Sequence, residues 1–299
     1  MTEADDSAAT ASFGSKPKLL RLALFGRPNS GKSTLMNRLL KQERVLVSDI
    51  AGTTVDPIDA EVFWEPAGVT LRLTDTAGIR RRAQQNGGIE RTSALWSRRA
   101  LERSDVGVLV VDAVEGWQTQ DTRLLDMADK ELRRCTVVAF NKWDALVRKD
   151  PPKFQREYEQ KVRDTIPGFP HVLFHYISAQ NGAGIGKLVS QCLQVAADRG
   201  TRFDTRHLNS VIKQVEALHF GTGSGGSGNR RSSTKRPRIR FVTQASSRGI
   251  PTFAVFVNNK SLVTAPYERF VEQSIRKYLH PFSGVPIQLV FKSEPQRQR

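Results

Sequence analysis

The densest chemistry in the chain lies in nine consecutive residues, Gly26, Arg27, Pro28, Asn29, Ser30, Gly31, Lys32, Ser33 and Thr34. At this spacing successive backbone N–H groups can close on one phosphate, Lys32 can reach the β- and γ-phosphates of a nucleotide, and the Ser33 hydroxyl suits Mg²⁺. A glycine-rich turn alone is often mere punctuation; the Lys-Ser that follows it favours nucleotide binding. Asp75, Thr76, Ala77 and Gly78 form a second cluster behind an apolar run. There Asp75 is expected to hold a water of the Mg²⁺ shell, and the Gly78 N–H to meet the γ-phosphate. Between the two clusters lies Gly52-Thr53-Thr54, in which Thr54, with Thr53 second, is the expected switch ligand to Mg²⁺ and the γ-phosphate.

A third cluster, Asn141, Lys142, Trp143 and Asp144, decides the base. A carboxylate at Asp144 can accept both the N1–H and the 2-amino group of guanine, whereas adenine offers neither donor there. Buried polar groups left without partners carry a large penalty, so the expected nucleotides are GTP and GDP and not ATP. Ser178 and Ala179, at the end of the next apolar run, are expected to bring a backbone N–H to the guanine O6.

These clusters need a frame that ends strands beside one another. Strand-like runs at 20–25, 60–64, 69–74, 106–112, 136–141 and 172–178 alternate with amphipathic stretches at 31–40, 89–103, 119–133, 153–165 and 185–199. That alternation predicts an α/β fold, a doubly wound, mostly parallel six-stranded sheet of the P-loop NTPase kind. After residue 200 the pattern changes to a helix-like 205–218, strand-like 239–244 and 252–257, a helix-like 267–279 and a last strand-like 287–291, which reads as a small α+β domain. The expected boundaries are a flexible tail at 1–18, a nucleotide-binding domain at 19–200, a second domain at 201–292 with a disordered basic Gly/Ser loop at 221–237, and a tail at 293–299.

The net charge is +16, and its distribution says more than its size. From Arg202 onward the chain has 17 basic and 5 acidic residues, a net +12, against +4 for the rest. An excess that local is the footprint of a phosphate-backbone partner rather than of general solubility. No apolar run approaches the roughly 20 residues that cross a bilayer, so no membrane span is expected. The N-terminal Glu3, Asp5 and Asp6 disfavour a secretory signal or a transit peptide, which predicts a soluble protein. Cys135 and Cys192 stand far apart on apolar stretches and read as buried structural thiols in a reducing compartment. His171 and His175 bracket an apolar strand without an acid or thiol at ligand spacing, and they read as structural.

The wider text resembles the ribosome-assembly GTPase family EngA, also called Der. The likeness is carried by Val47 to Thr54, by Asp75 to Arg81 with Gly88-Ile89-Glu90, and by Val111 to Gly116 followed by Gln120-Asp121. In the last third it is carried by Phe241-Val-Thr-Gln244, Pro251-Thr-Phe253, Phe256-Val-Asn258, Tyr267-Glu-Arg-Phe270 and Pro286-Ile-Gln-Leu289, which are similar to the family's terminal KH-like domain. The resemblance spans roughly residues 20 to 292. It implies a Ras-like GTPase domain followed by a KH-like domain, acting on the large ribosomal subunit precursor and its rRNA. The implied compartment is the cytoplasm in a bacterium, or a mitochondrial or plastid matrix in a eukaryote. Family members carry two tandem GTPase domains before the KH-like domain; this chain carries one, matching the second. It is therefore a fragment, a divergent relative or an incompletely read gene. The Arg usual after the paired threonines is Val55 here, and the family's compact link into the strand at Ile239 is replaced by the Gly/Ser-rich stretch.

Where Ras-like proteins place the Gln that orients the attacking water, this chain has Ile79, and slow intrinsic turnover is expected. Asn29 matches the asparagine that helps potassium-stimulated relatives hold K⁺ beside the phosphates; an equal alternative is that it tolerates an unusual backbone angle. Lys32, Thr54, Gly78 and Asn29 are thus the expected catalytic set, and Glu90 and Gln85 are only nearby candidates for a base. Arg230, Arg231, Lys235, Arg236, Arg238 and Arg240, with Arg248, are the expected RNA contacts. The KH-like region lacks a GxxG loop, which favours binding structured rRNA by shape and charge, or docking on the chain's own GTPase domain, over reading a single strand. The competing expectations are an Era-like GTPase and a nucleotide-dependent scaffold with negligible turnover. A P-loop kinase is a third, opposed by the guanine clamp. No oligomer is predicted.

Overall fold

The computed structural model describes residues 18–41, 59–74, 97–146, 151–220, 237–245 and 249–293. They fall into two compact units: one holds the described residues up to Asp198 together with Ser283–Pro286, and the other holds Arg199–Phe282 and the residues from Ile287.

The first unit is built on a six-stranded sheet in the order β2-β3-β1-β4-β5-β6. Its strands are β1 (Leu19–Phe25), β2 (Ala60–Trp64), β3 (Val69–Thr74), β4 (Val106–Asp112), β5 (Cys135–Asn141) and β6 (Leu173–Tyr176). Only β2 runs antiparallel, against β3, and a short 3-10 turn, Glu65–Ala67, closes that hairpin on Gly68 in the left-handed region (φ 62°). Every residue of β4 and of β5 is buried, the continuous apolar signature of strands covered on both faces. The expected six-stranded, mostly parallel α/β sheet is the one observed.

Helices follow from their apolar spacing. In α1 (Lys32–Lys41), Leu35, Met36, Leu39 and Leu40 are buried on one face, while Arg38 and Lys41 in the last turn complement the helix dipole. Helix α2 (Thr119–Asp126) starts with a reciprocal cap between Gln118 and Asp121. The stretch expected to be helical through 133 instead widens into a π turn at Met127–Glu131. Asp129 is thereby buried, with its Oδ1 2.7 Å from Nε2 of His171. His171 does have an acid partner, contrary to expectation, because that partner lies 42 residues away and not at ligand spacing; its role stays structural. A helical stretch at 97–102, the described end of the helix expected at 89–103, and helices α3 (Pro151–Thr165) and α4 (Ile185–Asp198) also belong to the unit. Both cysteines are buried, and burial pushes the Cys192 thiol up to about 12, which keeps it inert.

The segment Ser283–Pro286 docks within this first unit. The Thr136 N–H donates to Gly284 O at 2.9 Å and the Gly284 N–H to His171 O at 2.7 Å. Gly284 sits at φ 71°, where a Cβ would lie 2.8 Å from Cγ2 of Val195.

The second unit contains α5 (Thr205–Phe220), β7 (Ile239–Ala245), β8 (Thr252–Val257), α6 (Ala265–Tyr278) and β9 (Gln288–Ser293), with sheet order β7-β8-β9. β8 pairs antiparallel with β7 and parallel with β9. Helix α5 satisfies the outer edge of β7. Asn209 accepts from the Val242 N–H at 2.8 Å and donates to its carbonyl at 2.8 Å, and Glu216 accepts from the Ile239 N–H at 2.8 Å. An edge strand that would offer bare ladder groups is covered in this way. No helix among the described residues is long and apolar enough to cross a membrane.

Candidate nucleotide site

The site assembles where β1, β5 and β6 end. β1 delivers Gly26 with φ 145°, the chain then turns through Asn29 at φ 61° and Gly31 at φ 94°, and α1 begins at Lys32. Positive φ values of this kind are what let a backbone curl round an anion. Gly26 and Gly31 admit no side chain: a Cβ on the first would overlap the Val110 carbonyl oxygen, and one on the second the Asn141 amide. Lys32 Nζ donates to Arg27 O at 2.5 Å, which folds it over the loop. Asn29 is exposed, and the buried Ser30 hydroxyl has no hydrogen-bond partner among the described residues. The first turn of α1 carries no acid, as suits an anion at its N-terminus.

Asn141 joins three motifs through one amide. Its Nδ2 donates to Ser30 O in the phosphate loop at 2.9 Å, and its Oδ1 accepts from the Ala179 N–H at 2.9 Å. Its own position is the end of β5, where it is 2% exposed. Ser178 and Ala179 are buried in a tight turn in which the Ser178 N–H donates to Ala183 O and the Gly182 N–H to Ser178 O. That turn explains why β6 stops at Tyr176, two residues before the expected end. Asp144 is exposed on the 3-10 turn Trp143–Leu146, close behind Asn141 in the chain. Lys142, in the left-handed region at φ 61°, places Nζ 2.5 Å from Asp112 Oδ2. Burial raises the Asp112 pKa, but Lys142 and the N–H groups of Val114 and Glu115 outweigh it and hold the carboxyl below its ordinary value.

Two anchors escape a motif search. Arg27 Nε lies 2.9 Å from Asp121 Oδ1, its Nη1 2.7 Å from Glu115 Oε2, and its Nη2 donates to Gly116 O at 3.2 Å. The Asp121 side chain is fully buried; burial pushes its pKa up against the pull of the Gln118 N–H and Arg27. Arg38 on α1 donates to the carbonyls of Ala179 and Gln180, tying the helix behind the phosphate loop to the base-side turn. Trp143 packs against Phe154, Tyr158 and Tyr176, so its role here is to brace the clamp.

The structure therefore brings together Gly26 to Thr34, Asn141, Lys142, Asp144, Ser178 and Ala179. Thr53, Thr54, Val55, Asp75, Thr76, Ala77, Gly78, Ile79, Gln85 and Glu90 lie outside the described residues, as do Arg230, Arg231, Lys235, Arg236 and Arg248. Arg238 and Arg240 are described and exposed at the start of β7. No group of three or more acid, thiol or imidazole side chains forms a metal site among the described residues. The cradle nevertheless fits a Mg²⁺-nucleotide: it offers backbone N–H groups, Lys32, the Ser33 hydroxyl and a loop with no room for Cβ atoms.

Comparison with known proteins follows the same order of domains. A family model described as 50S ribosome-binding GTPase matches residues 21–142, and one described as the KH-domain-like C-terminal region of EngA bacterial GTPase enzymes matches 202–292. GTPase Der of a Synechococcus strain is 38% identical over 288 residues, covering 96% of this chain and 60% of that protein. GTPase Der of Thermomicrobium roseum is 37% identical over 272 residues, covering 91% of this chain and 56% of that protein. The chain thus spans less than two thirds of the length of these relatives. Among solved structures, a variant of Era of Aquifex aeolicus bound to GDP.AlF4- aligns with a TM-score of 0.44 and 21% identity, over 94% of this chain and 95% of that one.

Proposed function

We propose, for a chain that belongs to the EngA/Der family of GTPases, that it binds and hydrolyses GTP and switches its hold on rRNA of the large ribosomal subunit precursor with the state of the nucleotide. The observation that carries the reading is the Asn141 amide, which joins the phosphate loop to the Ala179 turn in one buried hydrogen-bonded unit. A pocket so built recognises both ends of one ligand. The exposed Asp144 carboxylate accepts the two donors of guanine, whereas the Ala179 N–H, expected at O6, is given to Asn141 Oδ1 in this structure. The loop N–H groups and Lys32 take the phosphates.

Ser33 would hold Mg²⁺, with Thr54, and with Asp75 through a water. A bound ion would supply positive charge against that of the phosphate oxygens. Gly78 offers its N–H to the γ-phosphate. Hydrolysis then depends on positioning, and Ile79 orients no water, so turnover is slow until an outside group completes the site. The exposed Asn29 would help a K⁺ ion take that part beside the phosphates, while its φ of 61° is what the equal alternative, a residue that tolerates an unusual backbone angle, requires. Arg230, Arg231, Lys235, Arg236, Arg238, Arg240 and Arg248 supply the positive charge for rRNA.

Ribosomal subunits are captured on the immobilised chain with GDP or a non-hydrolysable GTP analogue, and multiple-turnover hydrolysis is followed with and without subunits. Capture of large subunits that depends on the nucleotide, and turnover that rises with subunits and in K⁺ over Na⁺ at equal ionic strength, are expected. Equal rates in K⁺ and Na⁺ remove the Asn29 role alone. Turnover indistinguishable from zero in every condition makes the chain a scaffold. Adenosine or xanthosine triphosphate bound as tightly as GTP overturns the base assignment.

A further inference from the structure

The exposed face of the three-stranded sheet carries an arrangement that the nucleotide site does not use. Along β8, Phe253, Val255 and Val257 are buried, so Thr252, Ala254 and Phe256 point the other way. The pairing places Phe241 of β7 opposite Phe256, and Phe256 opposite Lys292 of β9. One row across that face therefore reads Phe-Phe-Lys. Phe241 is 42% exposed, its ring centroid is 5.8 Å from that of Phe256 at a tilt of 46°, and Lys292 Nζ lies 5.9 Å from the Phe256 centroid. The register slips between Ile239 and Phe241, and the exposed Arg240 stands at that irregularity. The two remaining rows carry only Thr, Ala, Val and Gln, without an acid.

A lone exposed ring is ordinary, but here two rings meet beside a lysine ammonium on one face. Resting on the rRNA reading above, we propose that Phe241 and Phe256 form a stacking platform for unpaired bases of an RNA strand whose phosphates are held by Lys292 and Arg240. Three features select RNA over a protein partner. Lys292 at the Phe256 ring is cationic, the chain from Arg202 onward is net +12, and tilted rings beside a basic side chain suit any base face. Such a platform adds an unpaired-strand contact to the shape-and-charge binding expected from the sequence.

The test uses the full chain, fluorescence anisotropy, and two labelled probes, an unstructured oligoribonucleotide and a blunt RNA duplex. Phe241→Leu keeps an apolar side chain but removes the ring, and Phe241→Ala removes both. Each should weaken the single-strand probe about tenfold while leaving the duplex and the thermal melt unchanged. Lys292→Gln should lower the salt slope for the single strand by about 0.7. Wild-type affinity in both Phe241 variants, an equal loss on both probes, or no binding of the single strand by the wild type would each overturn the platform. A Phe241 effect on self-association with RNA affinity unchanged would also overturn it, marking a protein interface. Nucleotide-dependent capture of ribosomal subunits, run beside these titrations, separates the two readings. If capture persists while the platform fails, the rRNA function stands; if neither subunits nor RNA are bound, both fall.

Discussion

In the six-stranded sheet β4 and β5 are buried at every position, whereas in the three-stranded sheet β7 is buried only at Val242. The first arrangement leaves no face open, so chemistry can emerge only at strand ends, and there the loops after β1, β5 and β6 are bound to one another through Asn141. The second leaves a face open, and its exposed side chains are connected to little else. Binding residues of the first kind are also structural members, while those of the second kind can be changed with the fold intact. The two sheets should therefore differ sharply in what a substitution costs.

The widest gap should appear at Gly31→Ala, where a Cβ overlaps the Asn141 amide at a backbone angle that L-residues rarely adopt. Guanine-nucleotide affinity, read by titration calorimetry, should fall by about a thousandfold. A loss below tenfold would mean that the loop relaxes independently of β5 and would break the comparison. Next comes Asp121→Ala, which takes from the Arg27 guanidinium its buried carboxylate partner, leaving Glu115 and the Gly116 carbonyl, and removes a helix cap; it should cost about 3 kcal/mol in urea unfolding. Asp112→Asn is milder and has a pH signature. Because the Asp112 pKa is depressed in the fold, its contribution is complete above the ordinary carboxylate range and disappears as pH falls through the folded value. The variant should be about 1 kcal/mol less stable than the wild type at neutral pH, with the two curves merging in acid. At the small end, Phe241→Ala should change stability by no more than about 0.5 kcal/mol. A larger loss there would mean that the open face belongs to the core.

Much of the first unit was legible because its signals are local. A continuous apolar run such as Val106–Asp112 announces a doubly covered strand, and the Gly-Lys-Ser spacing is set by the shape of one phosphate. The partners of those residues were not legible. Arg27 meets Asp121 across 94 positions, Lys142 meets Asp112 across 30, and Asn141 reaches Ser30 across 111. Such pairs follow from strand order, which periodicity does not encode. Asp121 and Asp112 stand inside stretches that carried the family resemblance, yet nothing local said what they hold. The π turn at Met127–Glu131 escaped for a related reason, since Leu125 and Ala128 fit an ordinary helix equally well and only the buried Asp129 beside His171 marks the change. In the second unit the sequence suggested strands and helices but not the covering of the β7 edge by Asn209 and Glu216.

The Asn141 amide also sets which changes of specificity are open to this chain. Its nitrogen and its oxygen are both committed to backbone partners, so an acid at that position would lose the donor to Ser30. Asp144, exposed on the turn beyond it, bears no such double duty. On the proposed base assignment, selection for a different purine could act on Asp144 while the proposed triphosphate grip stayed as it is, leaving Asn141 as the hinge pin around which descendants of this pocket diversify.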